Sequence, residues 1–245
     1  MDQAGHQSTA GIGTIASRLA SLAAPSDGLV VGLTGSVASG KTTLAASLAT
    51  TLSARMKVET VSTDGFLYPN AILEDRDLLM RKGFPETYDR AGMTAALSGL
   101  REGAAEFPGY NHVIYDIDPA LTRRVEQPDV LILEGLGFAR PSGPDREEGE
   151  PDVLIFLDAE LSDLEAWFLD RFMRFWHAAA DDPTSFYARF RHMSVPEAEN
   201  FAMQVWRDIN FPNLTDHILP MREHADIVLK KDARHSVRIV EDRLG

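Results

Sequence analysis

Gly35-Ser36-Val37-Ala38-Ser39-Gly40-Lys41-Thr42 decides the fold of this chain. The octet meets Gly-x-x-x-x-Gly-Lys-Ser/Thr at every fixed position, with an apolar run before it (residues 29–33) and a helix-forming run after it (43–52). Glycines let the backbone curl until successive N–H groups point inward at phosphate oxygens. A helix that starts there adds the positive end of its dipole. Lys41 is placed to reach the terminal phosphates, and Thr42 to offer its hydroxyl to Mg²⁺. With Thr43 closing the stretch, these nine residues are the expected cradle for ATP or another nucleoside triphosphate. A glycine-rich turn that binds nothing needs neither the strand before nor the helix after.

Outward from the octet, strands and helices alternate. Strand-length apolar runs recur at 58–62, 130–133, 153–157 and 227–229, and those at 130–133 and 153–157 are continuous, as in parallel strands buried on both faces. The pattern predicts an α/β domain with a mostly parallel sheet flanked by helices. We read residues 1–28 as a short N-terminal tail and helix, the helix over 12–24, and residues 29–245 as the domain proper. Residues 141–151, rich in proline, glycine and acid, read as a solvated loop. Ser162-x-x-Glu165 and Ser194-x-x-Glu197 both have the form of capping boxes. The aromatic residues of 161–176 recur at helical spacing and read as core or as an interface between copies.

Composition narrows the partners. A formal net charge of -13 over 245 residues opposes a nucleic-acid partner, which needs a basic surface. The chain has 0 cysteines, which removes disulfides and thiolate sites and fits a reducing cytoplasm. No run approaches the ~20 apolar residues of a membrane span, and the start lacks the basic residues of a secretory signal. A small-molecule substrate remains, with no nucleic acid and no membrane.

A phosphate loop alone serves kinases, switch proteins and motors alike. Asp64 follows the strand at 58–62, at the strand end where α/β sheets bind ligands, and could take a proton from an attacking hydroxyl. An Asx-turn before Gly65 would account for it equally well. Glu134 ends the buried strand at 130–133, where an acid can reach Mg²⁺ or its waters. Tyr110-Asn111-His112-x-x-Tyr115-Asp116 gathers hydrogen-bonding rings in a stretch with little periodicity, which suits a substrate-holding loop. Arg171, in the helix after the fourth strand, is a candidate cation for the transferred phosphoryl group, against the plainer reading of a surface ion pair.

With these residues in hand the chain resembles the bacterial type I pantothenate kinases, within the group that includes uridine kinases and phosphoribulokinases. The matching segments are residues 35–43, 63–70 and Lys82-Gly83-Phe84-Pro85-Glu86-Thr87-Tyr88-Asp89, then 110–116 and Leu133-Glu134-Gly135-Leu136. Asp170-Arg171-Phe172, Ile209-Asn210-Phe211 and Ile218-Leu219-Pro220 complete the set. The resemblance implies a P-loop NTP-hydrolase-like fold with a helical substrate and lid region. It also implies ATP- and Mg²⁺-dependent phosphorylation of the primary hydroxyl of pantothenate, at the entry to coenzyme A synthesis, by a homodimer. Carried over by position, Asp64, Lys41 and Arg171 are catalytic, and Thr42 and Glu134 serve the metal. Tyr110, His112, Tyr115, Asn210 and Phe168 line the acceptor, while Lys231 and His235 lie near the nucleotide base.

Departures from the family pattern keep other acceptors open, such as a nucleoside like uridine or a sugar acid, along with a turnover-deficient nucleotide- or coenzyme-A-binding regulator. Phe168 and Phe186 stand where tyrosines are usual. The segment before the first strand is about 28 residues, shorter than in the family. Ala46 replaces an arginine that in the family helps hold the phosphates of inhibitory coenzyme A, so feedback is expected to be weak. The plainer reading has Ala46 packed against the sheet.

Overall fold

A computed structural model describes residues 9–23, 28–141, 146–147 and 149–244. Its first element is helix α1 (Thr9–Ala23), followed by strand β1 (Leu29–Gly35), α2 (Lys41–Leu52) and β2 (Val58–Ser62). Helix α3 (Asn70–Asp75) and α4 (Arg90–Arg101) lead to a run of short strands. These are β3 (Ala104–Phe107), β4 (Tyr110–Asn111), β5 (Asp116–Ile117) and β6 (Arg123–Glu126). Then come β7 (Val130–Glu134), β8 (Val153–Ala159), α5 (Leu161–Ala178) and α6 (Val195–Val205), and finally β9 (Ile227–Lys231) and β10 (Val237–Asp242).

Six strands form the main sheet in the order β10-β9-β8-β1-β7-β2. All neighbours are parallel except β10, which returns antiparallel on β9. The alternation of side chains along each strand sends successive residues to opposite faces. On one face Val31, Leu33, Ile132 and Ile155 meet Ile15, Leu19, Leu44 and Leu48 of α1 and α2. On the other, Val30, Leu131, Leu133 and Phe156 meet Leu97, Phe172 and Trp206. Two buried faces explain why these strands read as unbroken apolar runs. Strand β1 lies between β7 and β8, so its C-terminal loop opens between two strand ends. In parallel sheets that crevice is the ligand site. Among the described residues no helix is long and apolar enough to cross a membrane.

The five strands expected from the apolar runs are present, each reaching a residue or two further or ending as read. Others were not legible. Strands β3 to β6 nest as two antiparallel ribbons, β4–β5 inside β3–β6, and so carry residues 110–117 out as a hairpin arm. Strands of two to four residues offer too few positions for alternation to register.

Four local expectations need correction. The first helix begins at Thr9 rather than residue 12, inside the stretch read as tail; residues 1–8 and 24–27 lie outside those described. It is no loose appendage, since Ile15 and Leu19 are fully buried and Arg18 pairs with Asp242 of β10 at 2.8 Å. Ser162 does not cap α5. The chain turns into the helix directly after β8, which leaves Glu160 as the cap residue and Ser162 inside the first turn. The box at Ser194 and Glu197 is formed in full. Residues 142–145 and 148 of the expected solvated loop lie outside the described residues, but its middle docks: Arg146 pairs with half-buried Asp226 at 2.5 Å. Ala46 is exposed on α2 and does not pack against the sheet.

Candidate active site

Residues 36–40 link β1 to α2, and Gly40 at the helix cap adopts a left-handed conformation (φ 92°). No side chain caps this helix, so its first N–H groups face the loop without a protein acceptor. Lys41 folds back over the loop, its ammonium donating to the carbonyls of Gly35 at 3.0 Å and Ser36 at 2.9 Å. Burial holds its pKa below the usual lysine range, against the pull of Glu134 and Asp64. A helix start and an ammonium converging on one loop suit a phosphate chain.

Glu134 closes β7, buried, and accepts a hydrogen bond from the Thr42 hydroxyl at 3.0 Å. Burial raises its pKa, opposed by the charge of Lys41. Paired hard oxygens beside a phosphate cradle fit Mg²⁺, which is held by one or two protein oxygens plus nucleotide phosphates and water. When bound, that ion would offset charge on the phosphates.

Asp64 sits in a tight turn, Thr63–Phe66, at the end of β2. Ser62 starts that turn by accepting from the Asp64 N–H at 3.2 Å. Thr63, fully buried, accepts from the Leu136 N–H at 2.9 Å, which ties the end of β2 to the loop after β7. Gly65 is forced by contact: a Cβ there would stand 1.8 Å from the Pro108 carbonyl oxygen. The charge of Asp64 acts on Lys41, Lys82, Tyr88, Tyr110, His112 and Tyr115 together, placing one carboxylate between the phosphate loop and the hairpin arm.

The arm brings its rings together. Tyr110 meets His112 and Tyr115 edge-to-face at 5.0 and 6.0 Å, and Tyr115 stacks on Phe186 at 4.4 Å. Burial keeps the imidazole of His112 below its usual pKa and both phenols above theirs, so the tyrosines stay protonated donors. Arg171 on α5 faces the same space, its charge acting on Lys41, His112, Tyr115 and Tyr187.

Other expected site residues are placed differently. Asn210 lies in wide helical turns after α6 with its amide donating to the Val205 carbonyl at 3.4 Å. No hydrogen bond joins it to the arm among the described residues. Phe168 is a core residue, packed on Trp206 at 5.5 Å and Phe172 at 6.5 Å. His235 lies against Trp167 at 5.0 Å, and Lys231 reaches under the phosphate loop.

Three site residues were missed as such. Lys82 donates to Asn70 at 2.6 Å and to the Tyr115 carbonyl at 2.7 Å, lies over the rings of Tyr110 and Tyr115, and is pushed down by burial to about 8. Tyr88 is buried and donates to Asp64 at the long distance of 3.5 Å. Both belong to the Lys-Gly-x-Pro-Glu-x-x-Asp element, whose presence was the available signal. Tyr187 packs edge-on against Phe172 at 5.4 Å and carries no sequence signature.

A phosphate loop, a carboxylate pair at neighbouring strand ends and a ring-lined arm define an ATP-dependent phosphotransferase of the P-loop class. The chain belongs to the Phosphoribulokinase / Uridine kinase family, whose sequence pattern matches residues 30–174. It is 43% identical over 224 residues to a pantothenate kinase of Sorangium cellulosum (strain So ce56), covering 87% of this chain and 72% of that protein. A pantothenate kinase of Paenarthrobacter aurescens (strain TC1) is 44% identical over 222 residues, covering 85% and 68%. Among solved structures, a putative fructose transport system kinase from Silicibacter sp. TM1040 superposes with a TM-score of 0.67 at 23% identity, covering 87% of this chain and 95% of that one. D-glycerate 3-kinase from Cryptococcus neoformans var. grubii gives 0.58 at 16% identity, covering 94% and 97%. At such identities these two speak for the fold alone.

Proposed function

We propose that this kinase transfers the γ-phosphoryl group of ATP to the primary hydroxyl of pantothenate, giving 4'-phosphopantothenate and ADP. The observation that carries this reading is the position of Asp64, in the turn that ends β2 beside the end of β7 where Glu134 stands, with the Tyr88 hydroxyl 3.5 Å from its carboxylate. The hydroxyl oxygen attacks the γ-phosphorus, its proton passes to the Asp64 carboxylate, and the bond to the ADP oxygen breaks. Lys41 and Arg171 offset the charge spread over the equatorial oxygens. Thr42 and Glu134 would hold Mg²⁺. Tyr110, His112 and Tyr115 orient the acceptor, and Asn210 would join them. Identity above 40% to pantothenate kinases over most of the chain favours pantothenate over a nucleoside or sugar acid. A cysteine-free chain fits a reducing cytoplasm. A homodimer is the assembly implied by the family, and sedimentation of the purified protein tests it.

The test is a panel of acceptors with labelled ATP, followed by His112→Ala and Asn210→Ala. Each variant is expected to raise KM for pantothenate while leaving KM for ATP within about twofold. A lost hydrogen bond of roughly 0.5–1.5 kcal/mol corresponds to about two- to twelvefold in affinity. Wild-type protein that phosphorylates uridine or a sugar acid and ignores pantothenate would overturn the acceptor and spare the reaction class.

Feedback can be tested at Ala46, which lies one helical turn beyond Thr42 on the same face and is exposed. An arginine there would add a cation one turn from the phosphate loop. Charge-assisted hydrogen bonds contribute roughly 1.5–3 kcal/mol, or about ten- to hundredfold in affinity. We expect weak inhibition of the wild-type enzyme by coenzyme A and stronger inhibition of Ala46→Arg. Tight, ATP-competitive inhibition of the wild type would contradict this.

A further inference from the structure

Lys231 ends β9 and is 5% exposed. Its ammonium donates to the Ser39 carbonyl at 2.7 Å, a contact across 192 residues, and lies 4.2 Å from the centre of the Trp167 ring. No ion pair with a carboxylate joins it among the described residues, and burial pushes its pKa down to about 8. A cation is costly to bury without a counter-charge. The Ser39 carbonyl and the Trp167 ring offset part of that cost, and an anion bound beside the loop would offset more.

Peptide geometry says what the contact does. The Ser39–Gly40 peptide is planar and trans, as the described residues contain no cis peptide bonds, so its C=O and N–H point in opposite directions. Lys231 grips the oxygen from the β9 side, which turns the Gly40 N–H to the other side of the loop. The fit is close: a Cβ on Gly40 would stand 2.6 Å from the lysine nitrogen.

We infer that Lys231 is a positioning residue of the nucleotide site: by holding the Ser39 carbonyl it aims the Gly40 N–H at the triphosphate, which in turn supplies the counter-charge for the buried ammonium. This rests on the reading of the loop as an ATP site, and it differs from a contact with the nucleotide base. His235, tilted against Trp167 at 5.0 Å, is the residue that the family resemblance implies for the base.

Calorimetric titration of purified wild type, Lys231→Met and Lys231→Arg with ATP, adenosine and inorganic tripolyphosphate, and with pantothenate as a control, separates the two roles. Lys231→Met keeps the length and removes charge and donor. It is expected to weaken ATP and tripolyphosphate by about ten- to hundredfold, the range of one charge-assisted hydrogen bond. Adenosine and pantothenate affinities should stay unchanged, and Lys231→Arg should retain most of the tripolyphosphate affinity. If methionine is not tolerated in the fold, Lys231→Gln, neutral but polar and too short to reach Ser39, makes the same comparison. Loss of adenosine with tripolyphosphate spared would place Lys231 at the base and overturn the inference. So would unchanged binding of all three, or an equal loss of all three together with pantothenate. Because only binding is read, a wild-type protein that binds ATP yet transfers no phosphoryl group would overturn the proposed function and leave this inference standing.

Discussion

Replacing Asp64 by asparagine is expected to lower kcat by about 10²–10⁴-fold, the usual contribution of a positioned general base. The amide keeps the shape of the side chain but cannot take the proton of the attacking hydroxyl. The turn around it should survive, because it is held by the Ser62 hydroxyl on the Asp64 backbone N–H and by Gly65 against Pro108. Neither depends on the carboxylate. ATP affinity should change little, since the loop carbonyls and the first turn of α2 hold Lys41 without Asp64. Steady-state turnover with pantothenate, beside a nucleotide titration of the same preparation, checks both halves. Near-normal turnover would make Asp64 a turn residue and nothing more.

Arg171→Met should cost about 10²–10³ in kcat, the scale of removing one preorganised electrostatic partner from a transition state. Arg171 is half-buried on α5, its guanidinium 5.7 Å from the Phe175 ring, and its charge acts on Lys41, His112 and Tyr115. No carboxylate pairs with it among the described residues, which removes the surface ion pair as its explanation. Methionine retains the stem that packs on α5, so the loss should fall on charge. If the cation acts on the moving phosphoryl group, kcat falls and KM for pantothenate holds. A rise in pantothenate KM at constant kcat would instead make Arg171 an acceptor ligand.

Much of this was legible in the chain because it is local. The phosphate loop needs its glycines, lysine and threonine at fixed spacing, and buried parallel strands must be apolar throughout. Residues 35–42, the five long strands, and Asp64 and Glu134 at strand ends could therefore be read directly. The capping box at Ser194 was readable for the same reason, while the similar pattern at Ser162 misled because the approach of β8 to α5, not the pattern, chose the cap.

What the tertiary structure decided is which distant groups meet. The order β8-β1-β7-β2 sets Glu134 opposite Ser62 in register, and so brings Thr42 to Glu134 and Asp64 toward Lys41. Nothing in the spacing of those residues states that order. The nested ribbons that carry Tyr110, His112 and Tyr115 are too short to show a period, and Lys231 meets Ser39 only because β9 lies next to β8 and β8 next to β1. Phe168 likewise shows what the sequence alone does not: its ring packs on Phe172 and Trp206, residues four and thirty-eight positions further along the chain. Local backbone chemistry is written over a few residues, whereas strand order and side-chain burial follow from packing two apolar faces at once, and that is a property of the whole chain.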